Sequence, residues 1–363
     1  MSGVIAVGLV DLLVNDLFSV RAGIWGAALT AFSPFLIWYS RDATDYSWLI
    51  AVSLGSFYLL VRSLKKGGSL NWALYCIVTF VALFSHYYAV FLFIAEIAFF
   101  IIISKHRKQI RPWLICQAIL LLALFPWVLL LSSSKSYSSE QYLNYTTPSI
   151  TSVFSGIGTA PIVFVRGYVG LIGSGSSALF LTSSQGLILA VFALVVLALL
   201  FLPSIKRSLL NREYLAFTTL TFLLIALPVV SILSQGGYVA GRYYAFAAPF
   251  FILWLAIFIT AVPRRVGFVF GGLLVLLLLF FYLIELRGTP RENWKDLMNT
   301  MAAEGRSGDQ FLCFPLHHCV MAQDYYTGAD LQVRGGVVVK TDRVRMDHSE
   351  FVWNGYKTSF DGN

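Results

Sequence analysis

Apolar residues in this chain run in long unbroken stretches, and the polar residues gather between them. The stretches cover approximately residues 3–18, 22–38, 46–62, 71–85, 87–104, 112–132, 184–203, 213–233, 244–262 and 265–287. Most are roughly 16 to 23 residues long and none keeps a strict apolar–polar alternation. A helix needs about 20 apolar residues to cross a hydrocarbon core about 30 Å thick, whereas a barrel strand needs about 9–11. Lipid offers the backbone no hydrogen bonds, so only helices and closed barrels cross it. The pattern predicts an all-α polytopic membrane protein with about ten transmembrane helices.

The loops test that count independently. One set carries Arg21; Arg62, Lys65 and Lys66; Lys105, Arg107, Lys108 and Arg111; Lys206, Arg207 and Arg212; Arg264 and Arg265. The alternate set carries only Arg41, Lys135, Arg166 and Arg242. Thirteen basic residues against four, on strictly alternating loops, place the first set in the cytoplasm. The second set, Met1 and everything after Arg287 then face outward. Two outer loops are short turns, near Arg41–Asp45 and Ser85–His86. A third runs from Ser133 to about Thr182, with semi-apolar stretches such as Ile157–Phe164, and its length suits a functional or surface-lying segment. It contains one formal glycosylation triplet, Asn144-Tyr145-Thr146, of a kind frequent by chance.

Residues 1–287 are expected to form the membrane domain and 288–363 a small extracytoplasmic α/β tail. In the tail, Asn293–Glu304 reads as an amphipathic helix with Trp294, Leu297, Met298 and Met301 on one side. A strand follows at Gln310–Phe314, then a helix near Cys319–Tyr326 and a strand near Leu331–Val339. About 70 residues barely suffice for a stable domain, and the sheet reads as incomplete. No internal repeat is visible, and the first apolar stretch lacks the basic flank of a secretory signal.

Composition agrees with the pattern. The 363 residues are 58% hydrophobic and 12% charged, with a mean hydropathy of +0.76. Soluble domains carry about 25% charged residues. The net charge of +8 needs no nucleic-acid partner, because basic cytoplasmic loops account for it. The four cysteines form no zinc pattern; Cys76 and Cys116 lie in apolar stretches as packing residues, and Cys313 and Cys319 could form a disulfide if the tail lies outside, which spacing alone does not establish.

Three polar clusters fall on the outer side. Tyr39 to Tyr46 holds Arg41, Asp42 and Asp45. Two carboxylates three residues apart share one face of a helical turn and suit a divalent metal or proton transfer. On spacing alone the simpler reading is a solvated turn with Asp45 capping the next helix. Ser85-His86-Tyr87-Tyr88 offers either a metal ligand or proton shuttle, or part of an interfacial aromatic belt. Gly241-Arg242-Tyr243-Tyr244 sets an arginine at the mouth of a helix, where it suits a phosphate or simply snorkels. Asp11, Asp16 and Glu96 lie within apolar stretches and are functional suspects on that ground.

Taken together, these clusters resemble the glycosyltransferase family 39-like group, which includes protein mannosyltransferases and lipid A aminoarabinose transferases of the GT-C fold. Ala31 to Tyr46 looks like that group's Ser-Pro-Phe segment ending in an acidic turn and a tyrosine. Ser85-His86-Tyr87 looks like its Thr-His-Tyr, and Arg242-Tyr243, ahead of a helix containing Pro249, like its Arg-Tyr. Trp294-Lys295, Gly308-Asp309 and Tyr325-Tyr326 are similar to the start of its periplasmic tail. The family's acid is kept as Asp42, its following arginine is lost at Thr44, and Asp45 has no counterpart. Family members begin with a further helix and an outer loop carrying the catalytic base, so Met1 is expected to fall at their second helix. That reads as a fragment or a misplaced start, inactive as it stands.

The resemblance implies transfer of a sugar, with inversion, from a polyprenyl-phosphate donor to a lipid, glycan or protein acceptor at the outer membrane face, with no nucleic acid involved. It assigns Arg242 to the lipid phosphate, and Tyr39, Tyr46, Tyr87 and Tyr243 to the donor site. Asp42 and His86 would hold a divalent metal or orient the sugar phosphate. A bacterial inner membrane suits the topology. The competing classes are a transporter or flippase, using Asp11 and Glu96 as a proton path, and a non-catalytic membrane scaffold.

Overall fold

A computed structural model describes residues 2–41, 45–103, 109–133, 150–166, 171–172, 211–234, 239–288, 294–304, 310–313, 332–340, 350–353 and 356–360. By internal contacts the chain divides into two compact units, one containing Met1–Ser133 and Tyr145–Arg287, the other containing Gly288–Asn363.

The described part of the first unit is almost entirely helical. Its helices are α1 (Ser2–Leu17), α2 (Val20–Phe32), α3 (Pro34–Arg41), α4 (Tyr46–Lys66), α5 (Ser69–Ser85) and α6 (Ala89–Ile103), followed by α7 (Ile110–Ser133), α8 (Ile150–Arg166), α9 (Arg212–Ser234), α10 (Ala248–Ala261) and α11 (Arg264–Gly288). A 3₁₀ turn, Gly241–Tyr244, leads into α10. Two short strands, β1 (Leu171–Ile172) and β2 (Val239–Ala240), pair antiparallel, β2 standing just before that turn. Among the described residues, Tyr46–Lys66, Arg212–Leu233 and Arg264–Arg287 are each long and apolar enough to cross a membrane, and α2 with α3 makes a fourth if the bent pair is one span. The stretch expected at 184–203 lies outside the described residues.

Two expectations change. The stretch 22–38 is not one continuous helix but α2 and α3, bent by 58° at Ser33. Pro34 disfavours helical geometry at the preceding residue, and Ser33 sits extended at ψ 115°. Its hydroxyl then accepts the Leu36 N–H at 3.3 Å and starts the new helix. The second change is α8, which occupies part of the expected outer loop. Val153, Ile157, Ala160 and Phe164 recur at helical spacing, and Ala160 and Phe164 are buried in the unit.

Packing follows membrane rules, in which close fit rather than water exclusion holds helices together. Helix α2 presents Gly23 and Gly26 to α1. A Cβ at Gly23 would stand 2.7 Å from Asp11 Oδ1, and one at Gly26 would stand 3.0 Å from Val10. At the centre, Phe57 of α4 packs on Phe99 of α6 at 4.8 Å, Phe250 of α10 at 5.5 Å and Phe217 of α9 at 6.0 Å between ring centroids.

A polar knot joins α4, α5, α6 and α7 within the same core. Glu96 is fully buried; its carboxylate accepts from Ser56 Oγ at 2.8 Å and from Tyr75 OH at 3.0 Å. Ser56 also bonds Thr79 at 2.8 Å, and Gln117 Nε2 donates to Tyr75 OH at 3.3 Å. These are the partners that Glu96 requires in a low-dielectric core. Glu96→Leu should therefore destabilise the helical unit by about 2 kcal/mol, two buried hydrogen bonds at about 1 kcal/mol each. Glu96→Gln should retain at least half of that, read as thermal midpoints in nanodiscs. Equal midpoints for Leu and wild type would remove the knot from the account of stability.

In the second unit, helix α12 (Trp294–Glu304) buries Met298, while Leu297, expected on the same side, is 46% exposed. Strand β3 (Gln310–Cys313) runs parallel to β4 (Gln332–Lys340), with Gln310 opposite Gln332. The hairpin β5 (Glu350–Trp353) and β6 (Tyr356–Phe360) extends that sheet antiparallel, in the order β3-β4-β6-β5. The hairpin was not expected from the sequence. The helix expected near Cys319–Tyr326, together with Gly308, Asp309, Tyr325 and Tyr326, lies outside the described residues.

Candidate functional site

The bend at Ser33 swings α3 so that Tyr39 meets the first turn of α4, where Tyr46 lies 5.5 Å from it edge to face. Helix α5 ends at His86, whose extended backbone (φ −156°) stops the helix and turns the chain into α6. The His86 ring lies 5.5 Å from Tyr46 and stacks on Tyr87 at 4.6 Å. Tyr88, buried, packs edge to face on Tyr243 at 5.3 Å. Arg242 sits over the Tyr243 ring at 5.3 Å and is near enough to Tyr46 for its charge to act on the phenol. Trp48 Nε1 donates to Ser85 Oγ at 3.0 Å, which ties α4 to α5 beneath the cluster. Three segments far apart in sequence thus meet in one aromatic patch at one end of the helical unit. Tyr39, Tyr46, His86, Tyr87, Arg242 and Tyr243 all belong to it. Asp42 lies outside the described residues.

The floor of the patch is built by residues the sequence did not single out. Phe35 packs on Tyr39 at 4.8 Å and on Phe164 of α8 at 5.3 Å. Tyr244 shares a side-chain hydrogen bond with Thr159 of α8. Helix α8 therefore braces both α3 and the 3₁₀ turn that carries Arg242.

Asp45 stands at the N-cap of α4, as expected, but its carboxylate makes no cap hydrogen bond. It faces His86 instead, with Oδ2 3.9 Å from Nε2. His86 Nδ1 accepts the Tyr88 backbone N–H at 3.1 Å. The neutral ring's single proton therefore sits on Nε2, facing Asp45. A metal at Nε2 would need the lone pair there and a proton on Nδ1, the reverse of this arrangement. Among the described residues no group of three or more His, Cys, Asp or Glu side chains could hold a metal ion. In this hydrogen-bonding state Nε2 offers no lone pair to a metal, and Asp42, the other residue expected to hold one, lies outside the described residues.

Burial holds the His86 imidazole below its ordinary pKa range, and the Asp45 carboxylate opposes this only in part. The unfolded chain then binds the proton more readily than the folded one. Stability from this group is complete above about pH 6.5 and is lost as the pH falls below it. The thermal midpoint should drop between pH 7 and pH 5, and His86→Gln should flatten that slope. An unchanged slope would show that His86 does not titrate against folding.

At the opposite end of the bundle, Arg21 Nη2 donates to Arg264 O at 3.1 Å and Lys65 Nζ donates to Asp16 O. Residues assigned to the cytoplasmic set by charge alone thus come together, away from the aromatic patch.

Residues 1–130 match the family model described as dolichyl-phosphate-mannose-protein mannosyltransferase. No curated protein and no solved structure gives a significant match. The matched segment carries Tyr39, Tyr46, His86 and Tyr87, and it ends before Arg242. Over its first 130 residues the chain is similar to the dolichyl-phosphate-mannose-protein mannosyltransferase family, and that match supports a GT-C-like membrane glycosyltransferase.

Proposed function

We propose that the protein transfers a sugar from a polyprenyl-phosphate-linked donor to an acceptor hydroxyl at the outer face of the membrane, with inversion at the anomeric carbon. The observation that carries this reading is the convergence of Tyr39, Tyr46, His86, Tyr87, Arg242 and Tyr243 in one patch. A lipid phosphate leaving group carries negative charge, and a guanidinium at the mouth of a helix meets it with forked donors. Arg242 takes that role, and it acts most strongly as the phosphate charge grows in the transition state. The tyrosine rings form the wall on which the donor rests. His86 and Asp45 orient groups beside it, and no step is routed through a metal.

The same reading places the aromatic patch outside and the Arg21–Arg264 end in the cytoplasm, with ten spans in all and the α/β tail extracytoplasmic. Support comes from the alternating basic loops and from the separation of the two residue sets to opposite ends of the bundle. A bacterial inner membrane is the setting that suits this topology.

The test is binding of undecaprenyl phosphate to the full chain in nanodiscs, for wild type and Arg242→Ala. Wild-type binding that weakens in the variant supports the reading; equal binding by both would remove Arg242 and, with it, the phosphate site.

A further inference from the structure

The Asp45 side chain makes no cap hydrogen bond at its helix end, and its carboxylate faces a buried imidazole instead. The pair is asymmetric: the His86 side chain is 8% exposed and that of Asp45 is 50% exposed. With Nδ1 occupied by the Tyr88 N–H, His86 presents a fixed N–H donor, and Asp45 presents a fixed acceptor. Their separation of 3.9 Å is too long for a direct hydrogen bond. One oxygen placed about 2.8 Å from each would bridge it at an angle of about 90°, a tight but reachable bridge.

That oxygen must accept from nitrogen and donate to a carboxylate. An ionised phosphate oxygen has no proton to give, a carbonyl has none either, and a cation would need the nitrogen lone pair. A hydroxyl satisfies both partners; water does so as well, and a sugar hydroxyl would take the place of that water. The rings of Tyr46 and Tyr87 flank the imidazole at 5.5 Å and 4.6 Å, giving the hydroxyl's carbon frame apolar faces to rest on.

We propose that Asp45 and His86 form a hydroxyl-reading pair, a subsite that selects a sugar by one ring hydroxyl bridged between Nε2–H and Oδ2. The proposal deepens the glycosyltransferase reading and rests on it for the choice of a sugar as ligand. The hydroxyl belongs either to the donor's sugar or to a glycan acceptor; the recognition chemistry is the same. Asp45 and His86 are specificity residues in this role, distinct from Arg242, which meets the phosphate.

The experiment uses the full chain in nanodiscs with two kinds of probe. The first arm compares undecaprenyl phosphate with undecaprenyl-phosphate mannose. The second records saturation-transfer NMR with a panel of methyl hexosides and their monodeoxy analogues. Asp45→Ala is the main variant, because the side chain is half exposed and makes no cap bond, and Asp45→Asn is its isosteric companion. For a donor subsite, Asp45→Ala should weaken the mannosyl lipid by roughly tenfold or more, the scale of a hydrogen bond to a charged group. It should leave the bare lipid phosphate unchanged, whereas Arg242→Ala weakens both lipids. For an acceptor subsite, the lipids are unaffected by Asp45→Ala, and one monodeoxy glycoside fails to bind wild type while its parent binds. Either pattern supports the pair. It is overturned if every monodeoxy analogue binds like its parent and Asp45→Ala leaves the mannosyl lipid unchanged. It is also overturned if the variant weakens both lipids alike. Failure of undecaprenyl phosphate to bind wild type would overturn the phosphate reading instead, and the glycoside arm would still decide the pair.

Discussion

Arg242→Ala is expected to weaken the binding of undecaprenyl phosphate by about ten- to a hundredfold, the range for losing one or two charge-assisted hydrogen bonds. Where transfer can be followed, the rate should fall further, by about 10²–10³, because the phosphate gains charge as the glycosidic bond breaks. Stability should change little. The side chain is exposed, and its contact with the Tyr243 ring is worth about 0.5–1 kcal/mol at such a site. Arg242→Lys keeps the charge and loses the fork, so it should recover part of the binding and less of the rate. A lysine variant as weak as alanine would show that shape, not charge, is what the site reads. An alanine variant with full affinity would move the phosphate elsewhere.

Phe57→Ala is expected to be the most destabilising of the substitutions considered, at about 3 kcal/mol, the low end of the range for emptying a packed aromatic site. Phe57 is fully buried and touches rings from three other helices, so no single neighbour can close the cavity. The apolar transfer term is small in a bilayer, and lost packing supplies most of the effect. Phe57→Leu should recover about half. Steric-trapping or thermal unfolding in nanodiscs would measure both variants, and a loss below about 1 kcal/mol for alanine would mean that the four-helix junction relaxes.

Helix positions were legible in the sequence because lipid imposes a length and a polarity that few other structures share. The ends of α4, α5, α9 and α11 fall within a few residues of the apolar stretches that announced them. The bend at Ser33 was written in Ser-Pro, but the length of the surrounding apolar stretch outweighed one proline. Helix α8 was hidden for a related reason: its Ser, Thr and Gly content reads as loop, and only the spacing from Val153 to Phe164 betrays a buried face. By spacing alone the site was legible as three clusters, and only the family resemblance gathered them into one donor site. Nothing in the order of residues says that Tyr46 touches His86, or that Asp45 faces the imidazole rather than its own helix end. The partners of Glu96 were equally hidden, since Ser56 and Tyr75 stand 40 and 21 residues before it, and Gln117, which donates to Tyr75, stands 21 after it. Such pairings depend on which helices pack side by side, a choice that hydropathy does not make.

The polar knot also bears on how the chain is made. Helix α6 spans only Ala89–Ile103, and Glu96 falls at its midpoint. If α6 crosses the bilayer, releasing it alone into lipid would leave an ionisable group near the bilayer centre, against an insertion penalty of about 3 kcal/mol. Ser56 and Tyr75, on α4 and α5, are synthesised earlier, so the hydrogen-bond partners of the carboxyl would precede α6 out of the ribosome. The third helix of this group should therefore wait beside the translocon until it can leave as a partner of the first two, with Gln117 on α7 closing the knot last. Glu96→Leu would enter the bilayer sooner and be held there less firmly. On that reading, the residue that slows insertion would also fix the order of assembly.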